Sequence, residues 1–183
     1  MGQLTLILGG ARSGKSSYAE ELARESNQPV LYIATATALD DEMRERIEHH
    51  QAARPSHWET LEAPMNIAVI LESKRFASRL WTGVVLLDCI TLLINNILFS
   101  LPDDAHFETV MQKVNDEIES LIEAQKQTGG EWLIVSNEVG LGLVPPYPLG
   151  RVYRDALGRA NQMLARAADR VVFMVAGIPT KIK

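Results

Sequence analysis

Leu4-Thr5-Leu6-Ile7-Leu8-Gly9-Gly10-Ala11-Arg12-Ser13-Gly14-Lys15-Ser16-Ser17-Tyr18-Ala19-Glu20-Glu21-Leu22-Ala23 decides the reading of this chain. A short apolar, β-compatible run leads into Gly-x-x-x-x-Gly-Lys-Ser, and a helix-forming run leaves it. Strand, glycine loop and helix in that order wrap a polyphosphate at a helix N-terminus, where backbone N–H groups and the helix dipole favour negative charge. Gly9 and Gly14 permit backbone conformations that turn the N–H groups inward, so Gly9, Gly10, Ala11, Arg12, Ser13 and Gly14 read as a phosphate cradle. Lys15 neutralises the β- and γ-oxygens, and the Ser16 hydroxyl is placed to ligate Mg²⁺. A glycine-rich turn with a chance Lys-Ser explains the motif but not both of its flanks. The chain is expected to bind a nucleotide.

Outward from this loop, apolar strand-like runs alternate with helical patterns. The strands are Val30 to Ala34, Val84 to Leu87, Trp132 to Val135 and Val171 to Val175. Helical stretches run from Asp41 to Ala53, Pro64 to Arg75, Leu92 to Phe99, Phe107 to Lys126 and Leu149 to Ala168. Continuous apolar strands separated by helices predict a mostly parallel sheet covered on both faces. The expected fold is α/β, of the P-loop NTPase and RecA-like type, as a single domain over residues 1–183 with no repeat or linker. In such sheets ligands gather at the carboxyl ends of the strands. Gly9-Gly10, Thr35-Ala36-Thr37, Asp88, Ser136-Asn137-Glu138 and Gly177 follow the apolar runs and are expected to converge on one crevice.

Composition narrows the class. At 46% hydrophobic and 22% charged, the chain has the balance of a soluble globular protein. A formal charge of −5 argues against a nucleic-acid partner. Cys89 is the lone cysteine, which excludes an intrachain disulfide and fits a small buried hydrophobe in a reducing compartment. The apolar region Val84 to Phe99 is interrupted by Asp88, Asn95 and Asn96, so it is not a membrane span. With no charged n-region before a cleavable apolar stretch, the expected location is cytoplasmic.

Two further features carry chemistry. Asp88 closes an aliphatic strand, where a carboxylate can hold Mg²⁺ opposite Ser16. An Asp at a strand end is common as a turn residue; beside a full phosphate loop it reads as a metal acid. The second feature is Asp40-Asp41-Glu42-Met43-Arg44-Glu45-Arg46-Ile47-Glu48-His49-His50, whose leading acids suit a helix N-terminus. Met43, Ile47 and His50 share a stripe expected to face the core. His49 lies about 100° round, on a face with Glu42 and Glu45 that can orient or charge its ring. Spacing alone favours a solvated histidine on a polar helix face over a reactive one at His49.

With these residues in view, the chain resembles the bifunctional adenosylcobinamide kinase/adenosylcobinamide-phosphate guanylyltransferase family of cobalamin biosynthesis. The resemblance runs through Gly9 to Ser16, Tyr32-Ile33-Ala34-Thr35, Leu39-Asp40-Asp41-Glu42-Met43, Arg46-Ile47, His49-His50 and Arg54-Pro55. It continues in Asn137-Glu138-Val139-Gly140-Leu141-Gly142-Leu143-Val144-Pro145, Arg154-Asp155, Gly158-Arg159-x-Asn161-Gln162 and Gly177-Ile178. It implies that His49 is the nucleophile that takes GMP. It also implies that Thr35, Ala36, Thr37, Ala52, Ala53, Arg54, Pro55, Glu62 and Asp88 help hold the guanine nucleotide. The implied cofactors are GTP, ATP and Mg²⁺, the implied substrates adenosylcobinamide and adenosylcobinamide phosphate, and the implied assembly a homotrimer. Two other readings remain at this point. A different small-molecule kinase with structural histidines would retain no GMP label, and a nucleotide-dependent binding module would show no corrinoid turnover.

Overall fold

The computed structural model describes residues 2–38, 40–72, 83–102 and 104–183; Glu42, Met43, Arg46, His49 and Ala53 are described by backbone only. The chain order is β1 (Leu4–Gly9), α1 (Lys15–Glu25), β2 (Val30–Ala34), α2 (Asp41–Ala53), β3 (Glu59–Glu62), α3 (Ile67–Glu72), β4 (Val84–Asp88), α4 (Ile90–Phe99), α5 (Phe107–Gln127), β5 (Glu131–Asn137), α6 (Pro148–Ala167), β6 (Arg170–Val175) and β7 (Ile178–Lys181). They build one sheet in the order β3-β2-β4-β5-β1-β6-β7, parallel throughout except for β7. The five anticipated apolar strands are all present. Two edge strands, β3 and β7, join them.

Both faces of the sheet are covered, as continuous apolar strands require. Leu4, Leu6, Leu87, Trp132 and Ile134 pack with Leu93 of α4, Val114, Ile118 and Leu121 of α5, and Leu157 and Leu164 of α6. On the other face Ile7, Tyr32, Leu86, Leu133 and Val135 pack with Ala19 and Ala23 of α1 and with Trp58. The small side chains of α1 let this helix lie close to the sheet and keep the phosphate loop against it. Trp58 and Trp132 are core residues, and Trp81 lies outside the described residues. The helix anticipated from Pro64 to Arg75 is α3, Ile67–Glu72; Arg75 lies outside the described residues. The α3 N-terminus is capped from a distance: backbone N–H groups of Asn66 and Ile67 donate to the Glu117 carboxylate of α5 at 3.1 and 3.0 Å, which suits the positive end of a helix dipole.

Of the stripe expected to carry Met43, Ile47 and His50 into the core, Ile47 and His50 do not reach it, and the Met43 side chain lies outside the described residues. Ile47 and His50 are half-buried and line a cleft above the strand ends, and no described side chain of α2 is buried. In so charged a helix, these two residues face the cleft rather than packing on the sheet. Among the described residues, no helix is long and apolar enough to cross a membrane.

Candidate active site

Strand register brings the site together. Glu62 pairs with Ala34, Ala34 with Asp88, Asp88 with Val135, and Asn137 with Gly9, so all five carboxyl ends form one edge. Above that edge opens a cleft of about 830 Å³, walled by the phosphate loop, the end of β2, the inner face of α2 and the start of α4. The strand that feeds the loop and the strand that ends in Asp88 are not neighbours; β5 lies between them. That spacing leaves room for a polyphosphate between loop and acid.

The loop is built as its sequence requires. Gly14 has φ 92° and Gly9 has room for no side chain, since a Cβ there would stand 2.6 Å from the Met174 carbonyl oxygen. Ser13 N–H donates to the Gly10 carbonyl at 3.3 Å, closing the turn. The loop is braced from below by the C-terminal hairpin, where Gly177 N–H donates to the Ser13 carbonyl at 3.0 Å. Lys15 opens α1, is 7% exposed, and its ammonium donates to the Gly10 carbonyl at 2.6 Å. Burial lowers its pKa, with the Asp88 carboxylate among the groups acting the other way. An ammonium held dry beside a nest of N–H groups is primed for an anion.

Across the cleft, Asp88 Oδ2 accepts from the Tyr32 hydroxyl at 3.1 Å. Burial, with help from Asp88, holds the Tyr32 phenol far above its ordinary pKa, so it stays a donor. The Arg54 guanidinium stacks 3.7 Å above the centre of the Tyr32 ring. Its Nε and Nη1 are buried without a hydrogen-bond partner among the described residues. The Ser13 hydroxyl in the loop is orphaned in the same way. Burying unpaired donors is costly, so both are arranged for an acceptor such as a phosphate. Cys89 is half-buried on the cleft wall. Burial first, and Asp88 second, push its thiol up to about 12, which leaves it neutral and inert.

The expected site residues fall into groups. Ala11, Arg12, Ser13, Gly14, Lys15, Ser16, Ala36, Thr37, Arg54, Glu62 and Asp88 all line the cleft. Gly9 and Gly10 do not line it; Gly10 closes the turn of the loop with Ser13. Thr35 does not line it: it is fully buried, donating to the Cys89 carbonyl and accepting from the Cys89 N–H, both at 2.8 Å. Pro55 lines a smaller adjoining pocket of about 380 Å³ that shares Gln51, Arg54 and Glu62 with the cleft. Ala52 is exposed and lines neither. The backbones of His49 and Ala53 lie in α2; their side chains are outside the description. Sequence reasoning did not single out Tyr32, Gln51 or Thr91 as wall residues. Tyr32 carried the one available signal, a hydroxyl inside an otherwise aliphatic strand.

For Mg²⁺ the donor set is a hydroxyl from Ser16 and a carboxylate from Asp88, both hard oxygen donors on one cleft. No cluster of three His, Cys, Asp or Glu exists among the described residues. That combination fits an ion completed by nucleotide phosphates and water rather than a protein cage.

Fold and cleft together define a P-loop nucleotide-binding protein of α/β architecture. The RadB recombinase structure aligns with it at a TM-score of 0.50 and 13% identity, over 93% of this chain and 73% of that one, a likeness of fold. Residues 5–182 match the family model described as cobinamide kinase / cobinamide phosphate guanyltransferase, and the chain belongs to that family. It is 44% identical to the bifunctional adenosylcobalamin biosynthesis protein CobU of Escherichia coli K12, over 98% of this chain and 99% of that one. It is 47% identical to CobP of Pseudomonas aeruginosa, over 97% and 96% of the two chains.

Proposed function

We propose that this protein is a cytoplasmic, bifunctional transferase that phosphorylates adenosylcobinamide and then guanylylates the product. The single cleft shared by Lys15, Ser16, Asp88 and Arg54 carries this reading, because one nucleotide site can then serve both steps. In the kinase step the acceptor hydroxyl attacks the γ-phosphorus of ATP or GTP. The bond to the β-bridging oxygen breaks, the nucleoside diphosphate leaves, and the hydroxyl proton passes to solvent. Loop N–H groups and Lys15 bind and orient the triphosphate, and positioning with charge neutralisation supplies most of the acceleration. Mg²⁺, held by Ser16 and Asp88, would neutralise charge on the β- and γ-oxygens.

In the second step a neutral His49 imidazole attacks the α-phosphorus of GTP and pyrophosphate leaves. A phosphate oxygen of adenosylcobinamide phosphate then attacks the guanylyl phosphorus, giving adenosylcobinamide-GDP and freeing the imidazole. An imidazole suits this because it has a lone pair near neutral pH and leaves readily once protonated. His49 is assigned by family resemblance; its neighbours Ile47, His50, Gln51 and Arg54 face the cleft, which supports the placement of this helix beside the nucleotide. We further assign the exposed apolar residues Leu141, Leu143, Val144 and Tyr147 of the loop before α6, with Leu149 in its first turn, to contacts within a homotrimer.

Incubation with γ-labelled and α-labelled GTP, Mg²⁺ and adenosylcobinamide tests the proposal. Label from the γ-position is expected in adenosylcobinamide phosphate, and acid-labile α-label on the protein. Neither should survive in Lys15→Ala. Absence of both transfers from the unaltered protein sinks the assignment.

A further inference from the structure

The end of β5 carries a polar framework that the chemistry above leaves unused. Side chains along this strand alternate: Trp132 and Ile134 face α5 and α6, whereas Leu133 and Val135 face α1. Ser136 continues the first set. It is fully buried, and its hydroxyl donates to Asn161 Oδ1 of α6 at 2.7 Å. Asn137 continues the second set and lines the cleft with Val135, Lys15 and Asp88.

The backbone of Asn137 is gripped on both sides. Its N–H donates to Thr91 Oγ1 at 2.9 Å, and its carbonyl accepts from Asn161 Nδ2 at 2.9 Å. Asn161 is only 6% exposed, and both ends of its amide are used on this strand end. The following N–H, of Glu138, donates to the Gly9 carbonyl at 3.0 Å and so ties β5 to the first residue of the phosphate loop. The Asn137 carboxamide itself makes no hydrogen bond among the described residues. A backbone this constrained, presenting an uncommitted amide to a cleft between a loop and an acid, is the arrangement of a ligand-contacting group.

We infer that the Asn137 carboxamide donates a hydrogen bond to the terminal phosphate of a bound nucleoside triphosphate, with Asn161 and Thr91 as the positioning residues that aim it. The register argues for that phosphate. Asn137 stands beside Gly9, and Asp88 is level with Val135, two residues deeper in the sheet. A neutral amide adds a donor there without competing with Lys15 for charge. The inference rests on the nucleotide reading of the cleft and is independent of which acceptor takes the phosphoryl group.

Titration calorimetry with GDP and with the β,γ-imido analogue of GTP, both with Mg²⁺, separates the possibilities. In Asn137→Ala, GDP affinity is expected to stay within about twofold. The analogue should weaken about tenfold or more, the loss of one hydrogen bond to a charged acceptor. Asn137→Asp should weaken the analogue further, because a carboxylate then faces phosphate. Asn161→Ala should show the same triphosphate-selective loss, with GDP as its internal control against general damage to the fold. Melting temperatures are read alongside, and Asn137→Ser replaces the alanine variant should that fail to fold. Equal weakening of both ligands, or an unchanged analogue affinity, overturns the inference. A wild-type protein that binds neither nucleotide overturns the reading of the cleft on which it stands.

Discussion

Replacing Arg54 by methionine should separate stability from binding. In the free protein the guanidinium stacks on Tyr32 at 3.7 Å, while Nε and Nη1 lie buried without a partner among the described residues. Stacking of this kind contributes up to about 2 kcal/mol when desolvated. Each unsatisfied buried donor costs on the order of 1–3 kcal/mol. The balance is therefore near zero or unfavourable. Met keeps an unbranched apolar stem over the ring and removes the donors. Arg54→Met is expected to leave the melting temperature of the free protein unchanged or raised. In the complex, the donors would meet a phosphate, and each charge-assisted bond lost costs roughly 1.5–3 kcal/mol, so GTP should bind about 10- to 100-fold more weakly. Thermal unfolding with and without GTP, together with calorimetry, reads both effects. A free variant less stable by about 2 kcal/mol or more would refute the reasoning, since the guanidinium would then already have its partners.

Burial lowers the Lys15 pKa below its ordinary 10.5. Between that lowered value and 10.5 the unfolded chain binds more protons, so the Lys15 contribution to stability rises with pH across this window. Phosphate beside the ammonium restores the charged form, so nucleotide binding there should take up protons; calorimetry in buffers of different ionisation enthalpy would show no uptake if the idea is wrong. His49→Ala should abolish the covalent GMP adduct and spare the fold, whereas His50→Ala should still form it. Mass spectrometry that finds the phosphoramidate on His50 reverses that assignment. Asp88→Asn should raise the Mg²⁺ needed for half-maximal turnover more than it weakens nucleotide binding, and an unchanged Mg²⁺ titration would leave Asp88 as a partner of Tyr32 alone.

What could be read in advance follows from how each element is stabilised. The central strands announce themselves because burial on both faces demands unbroken aliphatic runs, as in Val84 to Leu87. β3 and β7 lie at the sheet edges, and their residues are exposed apart from half-buried Leu61. Backbone pairing holds them, and pairing leaves no mark on hydrophobic pattern. The same blindness explains α2. An apolar stripe over a ligand cleft has the periodicity of a core stripe, so Ile47 and His50 gave no sign of which they faced. The phosphate loop was legible residue by residue because its geometry is local. Tyr32, Thr91 and the setting of Asn137 depend on strand order and on α6, and only the folded chain brings those together.

The brace beneath the phosphate loop has a consequence for synthesis. β1 pairs only with β5 and β6, and the loop it feeds is held by Gly177, near the far end of the chain. The ribosome therefore makes the loop first and supplies its supports last. A nascent chain that stops short of β5 carries the whole Gly-x-x-x-x-Gly-Lys-Ser motif with no strand beside it. Competence to bind nucleotide is therefore expected only after β5, β6 and Gly177 have been made. Stalled chains ending before residue 170 should accordingly pass through an immobilised-GTP column on which the completed protein is retained.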